Sequence, residues 1–246
     1  GLGGTDEQRR ADLQQMLDDP TIKAIFPLRG GYGVSRLLDG LDFTKFIEHP
    51  KWIVGFSDIT ALLCQVDTLS IASIHGPMPN NFCQKGGEVA LANLHAMLFE
   101  GRTHMTTKSH SLNKYGEAEG IIIGGNLSLL THLIGSNSFP NPKGKILFIE
   151  EVGERLYHVD RLLLQLKRAG YFSDLAGLII GGFTDCKEAS LTIGLSVEEM
   201  ILEHTAAYTY PVAFDFPAGH IPNNQPLPMG KKIKFLVNAQ NVQVTD

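Results

Sequence analysis

Three kinds of side chain in this sequence have the types and the positions needed for acyl-transfer chemistry. The stretch "KWIVGFSDITALL" (51–63) puts Ser57 and Asp58 on the corner between an apolar strand and an apolar helix start. A serine before a helix ordinarily serves as an N-cap. The chemical alternative is a nucleophile elbow, where a sharp turn exposes the hydroxyl and the next backbone N–H points into the same space. The helix dipole then favours negative charge there. "GFSDI" departs from G-x-S-x-G at Ile59. The apolar run "GKILFIEE" (144–151) ends on Glu150 and Glu151. Strand alternation lets one of them point into a cleft and is expected to send the other to solvent. His220 follows Pro217, Ala218 and Gly219 in a loop after a strand that ends at Asp215. A corner serine, a strand-end carboxylate and a loop imidazole are the three parts of a hydrolytic triad, here in the chain order Ser, Glu, His. By residue type alone the acid could be Glu150, Glu151 or Asp215. The Pro217 ring restricts the residue before it to extended geometry, so Asp215 would need the loop to fold back.

"RGGYG" (29–33) also follows a predicted strand. It reads as a phosphate cradle, as a tight turn, or as the source of one N–H of an oxyanion hole. It lacks the Lys-Ser/Thr of a P-loop and the full spacing of a dinucleotide fingerprint. Arg29 and Arg161 are candidate partners for a substrate carboxylate, with helix-surface or structural roles as the simpler account. His220 has no His, Cys, Asp or Glu three to five residues on, so no metal is expected, and no organic cofactor. Cys64, Cys83 and Cys186 are scattered and odd in number, which fits reduced thiols in a cytoplasmic protein. A reading of another class makes "RGGYG" and the Ser57 corner a non-catalytic anion- or peptide-binding module, with phosphate affinity and no turnover.

These residues need elements to position them. The chain has 246 residues with 43% hydrophobic and 19% charged residues, enough for one large or two small globular domains. A net charge of −5 with no basic run argues against nucleic acid or an anionic membrane as partner. Strands and helices alternate from the start, as in a parallel doubly wound sheet. Thr5 and Gln8 predict a capped first helix, and Ser196 and Glu199 another. "IKAIFPL" (22–28), "WIVGF" (52–56) and "IASIHGP" (71–77) read as strands, and "EVALANLHAMLFEG" (88–101) as a helix. Residues 102–117 are polar and aperiodic and read as a linker or extended surface segment. "GIIIGGNLSLL" (120–130) reads as strand, Gly-Gly turn and helix, and "YHVDRLLLQLKRAG" (157–170) as an amphipathic helix. The expected division is therefore an N-terminal α/β domain over 1–101 with the serine, a linker over 102–117, and a C-terminal domain over 118–246 with the glutamate and histidine.

The chain resembles the LD-carboxypeptidase family, the muramoyltetrapeptide carboxypeptidases, some of whose relatives hydrolyse peptide–nucleotide antibiotics. The resemblance rests on "GTDEQRRADL", "IKAIFPLRGGYGVSRLLDGLDF", "GFSDITALL", "GGNLSLL", "GKILFIEEVGERLYHVDRLLLQLKRAG", "AGLIIGGFTDC" and "FPAGHIPNNQPLPMG", in order along nearly the whole chain. It implies a serine peptidase with Ser57 as nucleophile, Glu150 as acid and His220 as base. It also implies an oxyanion hole from the backbone N–H of Asp58 and of Gly31. The implied fold is a parallel-sheet N-terminal domain and a mixed α/β C-terminal domain, with the site at their junction. The implied substrate is a murein tetrapeptide that loses its terminal D-alanine. No cofactor, nucleic acid or membrane partner is implied, and a homodimer is left open. "ERLYHVDR" departs from a more usual Pro-Tyr-Arg-Ile-Asp-Arg pattern and favours the peptidoglycan branch. Family members carry a further strand and helix ahead of the point where this sequence starts, so an unpaired strand edge is expected.

Overall fold

The computed structural model describes residues 3–190 and 192–246. In chain order the elements are α1 (Asp6–Asp18), β1 (Ala24–Ile25), α2 (Ser35–Leu38), α3 (Thr44–Glu48), β2 (Trp52–Gly55), α4 (Thr60–Thr68), β3 (Ser73–His75), α5 (Glu88–Phe99), β4 (His104–Lys108), β5 (Gly116–Asn126), α6 (Leu127–His132), β6 (Ile146–Val152), α7 (Leu156–Arg168), β7 (Gly177–Thr184), α8 (Val197–Thr205), β8 (Val212–Ala213), β9 (Leu227–Met229), β10 (Lys232–Val237) and β11 (Asn241–Thr245). Both expected capping boxes form. Thr5 Oγ1 accepts from the Gln8 N–H and Gln8 Oε1 from the Thr5 N–H, and Ser196 and Glu199 do the same for α8. Helix α7 buries Val159, Leu162, Leu163 and Leu166, the stripe that its 3.6-residue period sets on one face.

The sheet is mixed. β1, β2 and β3 run parallel, as do β5, β6, β7 and β8. Strand β9 joins the two sets, antiparallel to β3 and parallel to β5 at Ile122–Met229. The eleven residues of β5 serve two neighbours. Gly116–Ile121 pairs antiparallel with β10, and Ile122–Asn126 pairs parallel with β6. One apolar core runs from Leu17 to Val244 across both halves, and a smaller cluster of Val54, Ile74, Leu94 and Met97 lies beside it. Strands β1 and β4 each pair with a single neighbour among the described residues.

Three sequence expectations change. Residues 102–117 are not wholly linker: His104–Lys108 pairs antiparallel with β11, and Gly116 already belongs to β5. The strand escapes periodicity because it lies at the sheet margin and carries one apolar anchor, the buried Met105. The strands expected over 22–28 and 71–77 contract to Ala24–Ile25 and Ser73–His75. Gly124 and Gly125 are not a turn but rungs of β5 opposite Phe148 and Ile149, with Asn126 paired to Glu150 after them. They are glycine because of approach: a Cβ on Gly124 would lie 2.2 Å from the Phe148 carbonyl oxygen, and its φ is +105°.

That contact yields a prediction. Gly124→Ala should destabilise the fold by about 3 kcal/mol or more, through backbone strain and a forced shift of β6. Urea unfolding measures it, and a loss under about 1 kcal/mol would show that the rungs are not as tight as described.

Candidate active site

Strand β2 ends at Gly55, Phe56 is extended, and Ser57 turns with φ +62°, in the left-handed region. A short 3-10 turn over Ser57–Ile59 then leads into α4. L-residues avoid this region because Cβ crowds the following carbonyl. The ordinary N-cap account fails here, since Ser57 makes no side-chain capping bond to either helical segment. The hydroxyl is left half-buried and free of hydrogen bonds among the described residues. The "RGGYG" loop packs directly on this corner. A Cβ on Gly30 would lie 2.8 Å from Ser57 Cβ and 3.0 Å from its Oγ. The buried Asp58 side chain pins the loop, accepting from the Val34 N–H at 2.9 Å. The N–H groups of Asp58 and Gly31 donate to no other group among the described residues, the first on the residue after Ser57 and the second in the loop that packs on it.

Glu150 is fully buried two residues before the end of β6. Its Oε2 accepts from His220 Nδ1 at 2.7 Å and from the His220 backbone N–H at 3.2 Å. Since the acceptor is a carboxylate, Nδ1 carries the proton and Nε2 keeps its lone pair. The register of β6 against β7 shifts here, so that Gly181 and Gly182 oppose Glu150 alone. Gly219 has φ +112°, and a Cβ on it would fall 2.8 Å from Glu150 Oε2. Only glycine lets the loop come this close. The two halves meet at Phe56, whose ring lies edge-on to His220 with centroids 4.9 Å apart. No hydrogen bond joins Ser57 to His220 among the described residues. Such bonds are commonly long without substrate.

The expectation that one glutamate of the pair faces solvent is wrong. Glu151 is as buried as Glu150, because a parallel sheet is covered on both faces. Its Oε1 accepts from Asn126 Nδ2 at 2.9 Å and the Val152 N–H at 2.8 Å, and its Oε2 from the Ser128 N–H at 2.8 Å. Asn126 in turn donates its N–H to Thr60 Oγ1 at 3.1 Å, one turn past Ser57. A buried polar chain therefore links the serine corner to the glutamate strand, and Thr60 and Asn126 were not singled out from sequence. Asp215 is exposed and makes no bond to His220. Arg29 is exposed, and Arg161 is exposed over the Tyr157 ring at 5.3 Å, so both fit the surface account. The three cysteines are free. Among the described residues, no cluster of His, Cys, Asp and Glu could hold a metal, and no helix is long and apolar enough to cross a membrane.

His75 was also missed. It ends β3, level with Gly55 in the strand register, and is fully buried between Phe56 and Phe148. A lone histidine in an apolar strand reads as core, and only the tertiary contacts distinguish it. Burial pushes its imidazole down from 6.5 to about 4.

Residues 1–76 match the model of an LD-carboxypeptidase N-terminal domain, and residues 119–235 that of an LD-carboxypeptidase C-terminal domain. The chain is 35% identical to the murein tetrapeptide carboxypeptidase of Pseudomonas aeruginosa, over 94% of this chain and 78% of that protein. The crystal structure of muramoyltetrapeptide carboxypeptidase from Oxalobacter formigenes superposes with a TM-score of 0.90 at 29% identity, covering 100% of this chain and 86% of that one. The microcin C7 self immunity protein MccF, in complex with aspartyl sulfamoyl adenosine, gives 0.85 at 25% identity, over 99% and 82%.

Two predictions follow from the site's strain and burial. Replacing Ser57 with glycine removes the left-handed penalty of about 1 kcal/mol, whereas alanine keeps it. Ser57→Gly should therefore melt roughly 2–4 °C above Ser57→Ala. Equal melting temperatures would argue that the corner stores no strain. The second concerns His75. The unfolded chain takes up this proton near pH 6.5 and the folded chain only near pH 4, so stability falls as pH drops through that window and is intact above it. Urea unfolding at about pH 7 and about pH 4.5 should show a smaller drop for His75→Gln than for wild type, and an equal drop would contradict the neutral buried ring.

Proposed function

The chain belongs to the LD-carboxypeptidase family, and on that premise we propose that it hydrolyses the L,D peptide bond of a murein tetrapeptide, releasing the terminal D-alanine in peptidoglycan recycling. We assign the nucleophile to Ser57, the base to His220 and the orienting acid to Glu150. The observation that carries this assignment is the 2.7 Å bond from His220 Nδ1 to the fully buried Glu150, beside a serine held at positive φ. The 35% identity to a murein tetrapeptide carboxypeptidase supports the choice of substrate.

The chemistry follows from the proton positions. With Nδ1 protonated toward Glu150, Nε2 takes the Ser57 proton as the hydroxyl attacks the scissile carbonyl. Imidazolium then forms against a buried carboxylate, which supports the charge and holds the ring. The tetrahedral oxyanion would be met by the Asp58 and Gly31 N–H groups, each worth about 3–4 kcal/mol in comparable hydrolases. His220 returns the proton to the leaving amine. Water attacks the acyl-serine by the same route in reverse, and free enzyme is regenerated.

Mass spectrometry of a murein tetrapeptide incubated with the protein tests the reading. Loss of the terminal D-alanine is expected, with the all-L isomer left intact, since polar groups placed for a D-residue go unpaired with the wrong stereoisomer. Ser57→Ala should lower kcat by roughly a thousandfold or more, and Glu150→Gln by orders of magnitude through the wrong tautomer. A Ser57→Ala enzyme with a tenth of wild-type rate would sink the serine mechanism. Faster hydrolysis of a peptidyl-adenylate would keep the mechanism and change the substrate.

A further inference from the structure

His220 lies in the C-terminal half of the chain, yet its loop is held from the N-terminal half. Asn224 Oδ1 accepts from the Gly219 N–H at 2.7 Å, and His75 Nε2 lies 3.2 Å from the same oxygen. A backbone N–H can only donate, so it fixes which end of the Asn224 amide faces Gly219. With Oδ1 as the shared acceptor, His75 Nε2 must carry its proton. The His75 ring meets Phe56 edge-on at 5.9 Å and Phe148 at 4.7 Å, so it has no freedom to turn away. A second tie comes from α5, where Asn93 Nδ2 donates to Gln225 Oε1 at 2.6 Å.

The loop needs such ties. Gly219 sits at φ +112°, which glycine adopts without steric cost, so the backbone itself does not fix the loop beside Glu150 and its partners must. Asn224 receives two buried N–H donors, one from the loop itself and one from a fixed ring. The charge state of His75 matters as well. Burial disfavours the charged ring, Glu150 and the Asn224 hydrogen bond favour it, and His220 adds to the effect of burial, so the ring stays neutral. A cation at His75 would compete for Glu150 and repel the imidazolium that forms on His220.

We propose that His75 is a positioning residue: through Asn224 it fixes the Gly219–His220 backbone, so that Nδ1 stays on Glu150 and Nε2 stays available to Ser57. The kinetic consequence rests on the serine-peptidase reading above, while the positional claim does not.

The test uses the full chain with His75→Leu, His75→Gln, Asn224→Ala and the double variant His75→Leu/Asn224→Ala. Glutamine places an N–H close to the position of the imidazole Nε2, and leucine places none. His75→Leu and Asn224→Ala should each lower kcat on the tetrapeptide by about 100-fold with KM within about twofold, as expected for a base displaced by a fraction of an ångström. His75→Gln should recover to within roughly fivefold of wild type, and the double variant should be no slower than the worse single, because both changes break one chain of bonds. Proton NMR of the resting protein reads the proton between His220 Nδ1 and Glu150 directly: it should be sharp in wild type and His75→Gln, and lost to exchange in the other two single variants. A folded His75→Leu or Asn224→Ala with wild-type kcat overturns the proposal. So do glutamine no better than leucine, a fall in kcat with the His220 proton unchanged, or multiplying losses in the double variant. If His75→Leu does not fold, Asn224→Ala carries the same outcomes without touching the core ring. If wild type does not cleave the tetrapeptide, the functional reading fails and the NMR comparison still decides the positional one.

Discussion

The structure depends on a carboxyl group taken wholly out of water. Burying a carboxylate costs several kcal/mol unless partners replace its hydration. Glu150 meets that demand with one oxygen, which takes both the imidazole Nδ1–H and the backbone N–H of His220. The other, Oε1, has no partner among the described residues. On the proposed mechanism, a buried carboxylate with one oxygen left over is the partner that an imidazolium on His220 would need. The cost falls on the surroundings. The loop must approach within contact distance, which demands glycine at 219, and β7 must shift register opposite Glu150.

A site assembled from two halves of a chain works only if the halves cannot slide. Three buried connections prevent it. Strand β9 comes from the C-terminal half and pairs with β3 beside the serine strand. The chain Thr60–Asn126–Glu151 runs from the helix after Ser57 to the strand that carries Glu150. His75 and Asn224 tie the end of β3 to the His220 loop. All three lie in low-dielectric surroundings, where a satisfied network is rigid and a broken one is costly. The single core spanning Leu17 to Val244 expresses the same constraint in apolar contacts.

Strain at Ser57 belongs to this design. A left-handed serine persists only where its surroundings hold it, and here the "RGGYG" loop packs on the corner through Gly30 while the hydroxyl stays free of hydrogen bonds among the described residues. Ser70, Asp185 and Asp215 also have positive φ, so positive φ alone does not single out Ser57.

Local chemistry made much of this legible in the sequence. The capping boxes of α1 and α8, the stripe of α7 and the strand–corner–helix around Ser57 depend on neighbours within a few residues, and they form where the pattern put them. Matching motifs singled out Ser57, Glu150, His220, Asp58 and Gly31. Sequence did not decide which groups are buried. The fate of Glu151 depended on α6 lying across the far face of the sheet, and the role of His75 on a loop 149 residues away. Strand β4 had too little apolar content to announce itself, and the Gly124–Gly125 pair looked like a turn because the close approach of Phe148 is a non-local fact. Periodicity and capping are properties of consecutive residues, whereas burial, register and the second partner of a polar atom are set by segments far apart in the chain. Those belong to the tertiary structure alone.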